Sequence, residues 1–283
     1  QNNDLIYQMG VNIAKECKRV GMQINFAPDA DINSNGLNPV IGYRAFSESK
    51  ADVAMKSIMY MKGMQDNLVM ACGKHFPGHG DTDVDSHADM PKINHSYERL
   101  DSLELYPFRA LINKGIKSIM VAHIEIPSLD TNKNVSASIS SNVIKGLLQD
   151  SMKFHGLVFT DALNMKGVAK YYKSGELEVK AIKAGNDVLL FSENIPVAIT
   201  AIKEAIKSGE LSMNDIDKSC KKILMAKEWA GLDTLKPIKI ENIVNDINNP
   251  NLEAFNHKLY DAAFTTLQNK ENLLPLKRLD TLQ

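Results

Sequence analysis

Short apolar runs alternate with amphipathic segments along most of the chain, and this alternation constrains the fold more than any other feature. Each run has five to seven residues and is followed by polar residues or glycine. Strands that alternate with helices predict β-α units and a parallel sheet. The predicted strands are Gln23–Pro28, Leu68–Lys74, Lys117–His123, Gly156–Thr160 and Asp187–Phe191. Predicted helices lie near residues 4–20, 48–66, 97–114, 140–153, 178–184 and 194–208, with a further helix after Ser212.

Every predicted strand is followed by residues that can do chemistry. These residues are Asp29 and Asp31, Lys74 and His75, His123 and Glu125, Asp161, and Ser192 with Glu193. In a (β/α)8 barrel or a doubly wound sheet, ligands bind at this edge of the sheet. No GxGxxG or GxxxxGK[ST] motif follows a strand, which disfavours a nucleotide-binding domain. We therefore expect an α/β fold of the (β/α)8 TIM-like type.

The chain supplies only part of such a barrel. Five strands are evident in the sequence where a complete barrel has eight, so we expect about three strands to be undetected or to lie upstream of Gln1. The predicted barrel domain covers residues 1–232 and is incomplete at its N-terminus. Residues 233–283 are predicted to be a linker and the beginning of a second α/β domain, with a helix at Leu252–Ala263 and an entry strand within Phe264–Leu276.

Composition excludes several classes of function. The 283 residues are 44% hydrophobic and 24% charged, and the formal charge of −1 gives no reason to expect a nucleic acid or an anionic membrane as partner. The apolar runs are much shorter than the ~20 residues of a membrane helix. The three cysteines are widely spaced, which does not predict a disulfide framework; we expect them to be buried or inert.

A polar run, KHFPGHGDTDVDSHADMP, extends from Lys74 to Pro91. It holds almost no apolar residue to bury, so it is either a connector or a loop that presents polar groups to a ligand. In an extended loop Asp85 and His87 point the same way, so Asp85 can orient the His87 ring for proton transfer. The alternative is a local Asx turn beside a solvated histidine.

Two further segments carry candidate site residues. Asp161 directly follows a strand in VFTDALNM, where a partly buried carboxylate can serve as a nucleophile or a base; the alternative is a helix N-cap. Arg44 lies in GYRAF, a loop before a helix, where its fork of donors can hold hydroxyl, carbonyl or acid groups of a substrate.

Together these segments resemble glycoside hydrolase family 3, and specifically its β-N-acetylglucosaminidase branch. The family's signature loop is similar to KHFPGHG followed by DSH, which here are Lys74–Gly80 and Asp85–His87. The similarity covers most of residues 4–232, including NFAP, GYRAF, IMVAH and VFTDALNM.

The resemblance implies a retaining exo-β-N-acetylglucosaminidase that removes terminal β-linked N-acetylglucosamine from peptidoglycan fragments or chitooligosaccharides. Asp161 would be the nucleophile, and His87, oriented by Asp85, would be the acid and base. Most retaining glycosidases use a second carboxylic acid instead of this histidine. The residues expected to bind the sugar are Arg44, Lys74, His75, Asp31 and His123. The resemblance implies no cofactor and no metal.

Two departures from the family pattern stand out. Ala162 occupies the position after the nucleophile where many relatives have a second acid. The upstream Asp-Glu-Gly-Gly motif that helps to hold the sugar is also absent from this sequence.

Three alternatives remain open at this point. One is a β-glycoside phosphorylase, because a histidine acid/base tolerates an anionic acceptor. Another is a catalytically silent sugar-binding barrel. The third, a metal-dependent hydrolase using His75, His79, His123 and Asp161, is disfavoured because no HxH or HExxH pairing is present. The expected partner is a glycan, and the suggested second domain favours the bacterial cell envelope or periplasm over the cytoplasm.

Overall fold

The five predicted strands form one parallel sheet. The computed structural model describes residues 3–83, 89–234, 237–266 and 268–270. Its strands are β1 (Ile24–Asn25), β2 (Met70–Phe76), β3 (Ser118–Val121), β4 (Leu157–Ala162) and β5 (Val188–Leu190). They lie side by side in sequence order, and each neighbouring pair is parallel. The α/β class and the existence of all five predicted strands are therefore confirmed.

Helices connect the strands as predicted, with two differences. The helices are α1 (Asn3–Arg19), α2 (Lys50–Gln65), α3 (Tyr97–Ser102), α4 (Leu105–Asn113), α5 (Lys166–Ala169), α6 (Glu176–Ala184), α7 (Ile195–Lys207), α8 (Met213–Trp229), α9 (Ile243–Ile247) and α10 (Pro250–Ala263). The single helix predicted near 97–114 is two helices, since Pro107 has no N–H to donate to the carbonyl of Leu103. The helix predicted near 140–153 is a π-helix, Asn142–Ser151.

The two faces of the sheet are covered by different elements. On one face the alternate strand residues Ala71, Ile119 and Val158 join the largest core cluster, which also contains side chains of α1, α2, α4 and the π-helix. On the other face Leu157 and Phe159 pack with Ile223, Ala226 and Trp229 of α8. Because side chains alternate along a strand, Asp161 belongs to the same face as Leu157 and Phe159.

A complete barrel is not observed in the described residues. β1 and β5 are the two edges of a sheet of five strands, so the closed (β/α)8 barrel and its missing first strands stay predictions. The helix expected at Leu252–Ala263 is confirmed as α10. Of the predicted entry strand within Phe264–Leu276, the described residues are 264–266 and 268–270, and they form no strand. The division into two domains stays a prediction.

The cysteines and the membrane prediction can also be compared with the structure. Cys17 and Cys72 are buried, whereas Cys220 is exposed. Among the helices in the described ranges, none has the length and apolar character needed to cross a membrane.

Candidate active site

The site begins where the chain leaves β1 and runs beside the end of β2. The N–H of Ala30 donates to the carbonyl of Lys74 at 2.7 Å, and the N–H of Lys74 donates to the carbonyl of Pro28 at 3.1 Å. These bonds extend the parallel pairing beyond β1 and bring Asp29 and Asp31 next to His75. Residues that are 44 positions apart in sequence therefore meet at the carboxyl end of the sheet.

Asp31 is the central acceptor of this corner. Its side chain is fully buried. Its Oδ2 accepts from the His75 N–H at 3.1 Å and from His75 Nδ1 at 2.7 Å. Its Oδ1 accepts from the N–H of His79 at 2.6 Å. Burial raises the pKa of Asp31, and the N–H donors from His75 and His79 oppose that rise. Asp31 thus uses both oxygens to hold the loop rather than presenting them to solvent.

Hydrogen bonding fixes the tautomer of His75. A carboxylate only accepts, so the Nδ1 that faces Asp31 carries the proton. The guanidinium of Arg44 only donates, and its Nη2 lies 3.2 Å from His75 Nε2, so that nitrogen accepts. Burial lowers the pKa of His75 to about 4, against the opposing charges of Asp29 and Asp161. His75 is therefore a neutral ring that fixes the direction of Arg44.

The start of the polar loop is held by its own backbone and by the segment after β1. The Nδ1 of His79 lies 2.8 Å from Oγ1 of Thr82, and Asn38 donates to the carbonyl of His79 at 2.8 Å. A Cβ at Gly80 would lie 1.7 Å from the carbonyl oxygen of Ile32, so only glycine allows this approach. Gly80 therefore serves close backbone packing.

Asp161, at the end of β4, has one held oxygen and one free oxygen. Its Oδ1 accepts from the N–H of Ala162 at 2.8 Å. Within the described ranges Oδ2 makes no hydrogen bond. Burial alone would raise the pKa of Asp161, but His75, His123, the Ala162 N–H and Lys74 outweigh that effect and lower the pKa. The carboxylate is therefore ionised at neutral pH.

His123 supports the backbone beside Asp161. It is fully buried. Its Nε2 lies 3.0 Å from the carbonyl of Ala162, which only accepts, so Nε2 carries the proton; Nδ1 then accepts from Ser138 at 2.7 Å. Burial lowers the pKa of His123 and keeps it neutral. Both ring nitrogens have protein partners, so the expected direct contact with sugar stays a prediction.

Lys74 differs from its neighbours because its ammonium group makes no hydrogen bond or ion pair with the described residues. It is half-buried and its charge acts on Asp161 and His75. Arg44 is more exposed, with 42% of its side chain open to solvent. These two cations are the donors that the site leaves available for a ligand.

The predicted acid/base pair, Asp85 and His87, lies outside the described residues, and its placement stays a prediction. The residues on either side of that segment are tethered. Asp81 Oδ2 lies 2.6 Å from Nε2 of His95, and Asp89 Oδ1 lies 2.5 Å from Nζ of Lys170.

Metal binding by the predicted ligand set is not supported. Asp29, Asp31 and His75 place ligand atoms within 4.8 Å of one another, but neither His123 nor Asp161 belongs to that group. The cation of Arg44 already lies among those ligand atoms, 3.2 Å from His75 and 3.4 Å from Asp29. A second group in the described ranges, Asp81, His95 and Glu104, is paired with Arg99.

Comparison with known proteins identifies the family. The sequence model described as "Glycosyl hydrolase family 3 N terminal domain" matches residues 1–226. The chain belongs to glycosyl hydrolase family 3. The resemblance stated from the motifs is thereby confirmed.

Individual family 3 relatives show how much of their length this chain represents. It is 30% identical to "Beta-hexosaminidase A" of Pseudoalteromonas piscicida over 94% of this chain and 47% of that protein. It superposes on a family 3 β-N-acetylglucosaminidase from Paenibacillus sp. str. FPU-7 with a TM-score of 0.81 and 37% identity, over 87% of this chain and 49% of that one. The chain thus spans about half the length of these relatives.

A third solved structure, a β-glucoside phosphorylase named BglX, has a TM-score of 0.90 at 24% identity, over 97% of this chain and 51% of that one. At that identity the similarity shows the shared fold alone.

Sequence reasoning missed two parts of this family 3 site. Asp29 was recognised only as a polar residue after a strand, although the Asp-x-Asp spacing of 29 and 31 sends two carboxyl groups into one corner. His79 was considered only as a metal ligand, whereas its backbone N–H is a donor to Asp31. Nothing in the local sequence indicates either contact.

Proposed function

We propose that this protein is a retaining exo-β-N-acetylglucosaminidase that releases terminal β-linked N-acetylglucosamine from peptidoglycan fragments or chitooligosaccharides. The observation that carries the proposal is the state of Asp161. Among the described residues its Oδ2 has no hydrogen-bond partner, its Oδ1 is held by a backbone N–H, and the surrounding groups lower its pKa, which are the properties of a carboxylate nucleophile.

The first step forms an ester on the protein. Asp161 Oδ2 attacks the anomeric carbon, the bond to the leaving oxygen breaks, and His87, oriented by Asp85, gives that oxygen a proton. Water then attacks the same carbon and transfers a proton to His87, while the ester bond to Asp161 Oδ2 breaks; this releases the sugar and restores both the carboxylate and the protonated histidine. Arg44 and Lys74 would bind sugar hydroxyls or the N-acetyl carbonyl, while Asp31, His75 and His123 would hold the geometry.

The preference for N-acetylglucosamine is supported by two similarities. The Pseudoalteromonas relative is named a β-hexosaminidase, and the Paenibacillus structure is a β-N-acetylglucosaminidase at 37% identity. Phosphorolysis receives no equal support, because the phosphorylase likeness shows only the fold.

The test is covalent trapping. Full-length protein is incubated with a 5-fluoro N-acetylglucosaminyl fluoride, and intact and peptide mass spectrometry locate the sugar. We expect one adduct on Asp161 and none on the Asp161→Asn variant. An adduct on another residue would show that the nucleophile is assigned wrongly, and neither adduct nor turnover of an aryl N-acetylglucosaminide would favour a sugar-binding protein. Comparing products in phosphate and in an inert buffer separates hydrolysis from phosphorolysis.

A further inference from the structure

One carboxyl group in the site has no role in the mechanism above. The side chain of Asp29 is 9% exposed. Its Oδ1 accepts from the N–H of Asp31 at 3.2 Å, but its Oδ2 is buried and has no hydrogen-bond partner in the described chain. A buried ionised oxygen without a partner is strongly unfavourable, whereas a protonated carboxyl is tolerated.

The groups around Asp29 decide where the proton stays. Asp31 lies on the same segment, Lys74 and His75 face it from β2, and Arg44 faces it from the loop after β1. Burial and the carboxylate of Asp31 raise the pKa of Asp29 to about 8, and the opposing influence of His75 and Arg44 is smaller. Asp31 keeps the negative charge because it accepts bonds from His75 and His79.

The protonation state of Asp29 matters to Arg44. Nη2 of Arg44 lies 3.4 Å from Asp29 Oδ2. The other acceptors of the guanidinium are neutral, namely His75 Nε2 at 3.2 Å and the carbonyl of Val40 at 3.3 Å. While Asp29 is neutral, the charge of Arg44 remains available to a ligand. Once Asp29 ionises, this 3.4 Å contact becomes an ion pair, buried on the Asp29 side, that competes with the ligand.

We infer that Asp29 is a positioning residue that acts through Arg44. As a neutral acid, Asp29 leaves the guanidinium of Arg44 free to bind an oxygen-rich ligand. As an anion, Asp29 withdraws the guanidinium from the ligand. This inference rests on the proposed function only for the identity of the ligand, a sugar carrying hydroxyl or amide oxygens. The apparent affinity for the ligand is then the intrinsic affinity multiplied by the fraction of molecules in which Asp29 is neutral.

The experiment measures KM and kcat for 4-nitrophenyl N-acetyl-β-glucosaminide, and the inhibition constant of N-acetylglucosamine, from about pH 6 to about pH 9.5. For the full-length wild type we expect KM and the inhibition constant to rise about tenfold between pH 7 and pH 9. Asp29→Asn, which imitates the neutral acid, should keep the pH 7 values and lose this rise. Asp150→Asn, at an exposed position near the amino end of the strands and away from the carboxyl end, is the matched control and should show the same pH dependence as the wild type.

Two outcomes would overturn the inference. One is an Asp29→Asn protein in which KM and the inhibition constant still rise between pH 7 and pH 9, because another group then causes that rise. The other is a raised KM for Asp29→Asn at pH 7, because Asp29 would then be needed as an anion. If Asp29→Asn does not fold, Asp29→Ser supplies a second neutral side chain for the same measurement.

Failure of the proposed function is recognisable separately. If the wild type does not turn over the aryl glycoside, N-acetylglucosamine binding is measured by calorimetry at pH 7 and pH 9. The same about tenfold loss in the wild type, absent in Asp29→Asn, supports the role of Asp29, and equal pH dependence in both contradicts it.

Discussion

Two aspartates at opposite ends of the parallel strands are similarly buried but differently satisfied. Asp187 precedes β5 and has a side chain that is 4% exposed. Its Oδ2 accepts from Nζ of Lys222 at 2.5 Å and from the N–H of Val158 at 2.9 Å, and its Oδ1 accepts from Ser219 at 2.8 Å. Asp29, at the carboxyl end, has an oxygen with no hydrogen-bond partner among the described residues.

The difference separates a stabilising end from a reactive end. At the amino end, the charge of Asp187 is matched by a cation of α8 and by backbone, which ties that helix to the sheet. At the carboxyl end, Asp161 and Arg44 retain capacity to interact with a ligand, and Asp29 beside Arg44 has a buried oxygen without a hydrogen-bond partner among the described residues. In barrel enzymes chemistry is found at the carboxyl end of the strands, and residues at the amino end contribute to stability.

The strongest test of this contrast is Asp161, the proposed nucleophile. Asp161→Asn keeps the size of the side chain and removes the attacking charge, so we expect turnover of an aryl N-acetylglucosaminide to fall by about 10⁴-fold or more. The thermal midpoint should be equal to or slightly lower than that of the wild type, because the surroundings of Asp161 favour its charged form. Steady-state kinetics and calorimetry check both parts. A variant with near wild-type turnover would show that Asp161 is not the nucleophile.

The converse change is made at the amino end. Asp187→Ala leaves Lys222 and the Val158 N–H without their acceptor, and we expect the free energy of unfolding to fall by about 3 kcal/mol. Activity per folded molecule should stay within about twofold, since Asp187 lies at the far end of the strands. Urea unfolding measures the loss. Asp150→Ala, at an exposed position, is the control that should change neither quantity.

A double variant sharpens the interpretation of that loss. Asp187→Ala combined with Lys222→Met should recover part of the stability, because the unpaired ammonium is then removed as well. If the single variant is as stable as the wild type, the ion pair does not anchor α8. If it folds but has lost its activity, the two ends of the sheet are coupled. The assignment of stability to one end and reactivity to the other is then wrong.

The strands were predictable because burial on both faces makes them apolar, and because parallel strands deliver their following residues to one edge. This was enough to bring Asp31, Lys74, His75 and Asp161 into one hypothesis, to which the GYRAF loop added Arg44. The motifs of the signature loop then gave the family.

The contacts within the site could not be read in the same way. The bond from His75 to Asp31 joins residues 44 positions apart, and the orphan oxygen of Asp29 is visible only once its burial is known. His123 looked like a ligand residue because it follows a strand, but its ring bonds the carbonyl of Ala162. The end of a strand predicts where a side chain lies, whereas the hydrogen-bond partners of that side chain depend on tertiary packing.

A final expected effect concerns acid stability, and it too distinguishes the ends. Burial lowers the pKa of His75, His79 and His123, all near the carboxyl end, to about 4 in the case of His75. The unfolded chain has ordinary histidines with pKa near 6.5, so between these values it binds more protons than the folded chain. Stability is therefore complete above about pH 6.5 and falls as the pH approaches 4.

For His75 alone the loss amounts to an order of 3 kcal/mol. Thermal midpoints measured between about pH 7 and about pH 5 should fall in the wild type, and His123→Gln should reduce that slope because it removes one buried titrating ring. His155, an exposed histidine near the amino end, is the matched position, and His155→Gln should leave the slope unchanged. An unchanged slope in His123→Gln would mean that its buried ring does not remain neutral, and the acid-sensitive region would have to be sought outside the site. If His155→Gln instead reduces the slope of thermal midpoint against pH, the acid-sensitive group lies at the amino end of the strands, which we assign to stability.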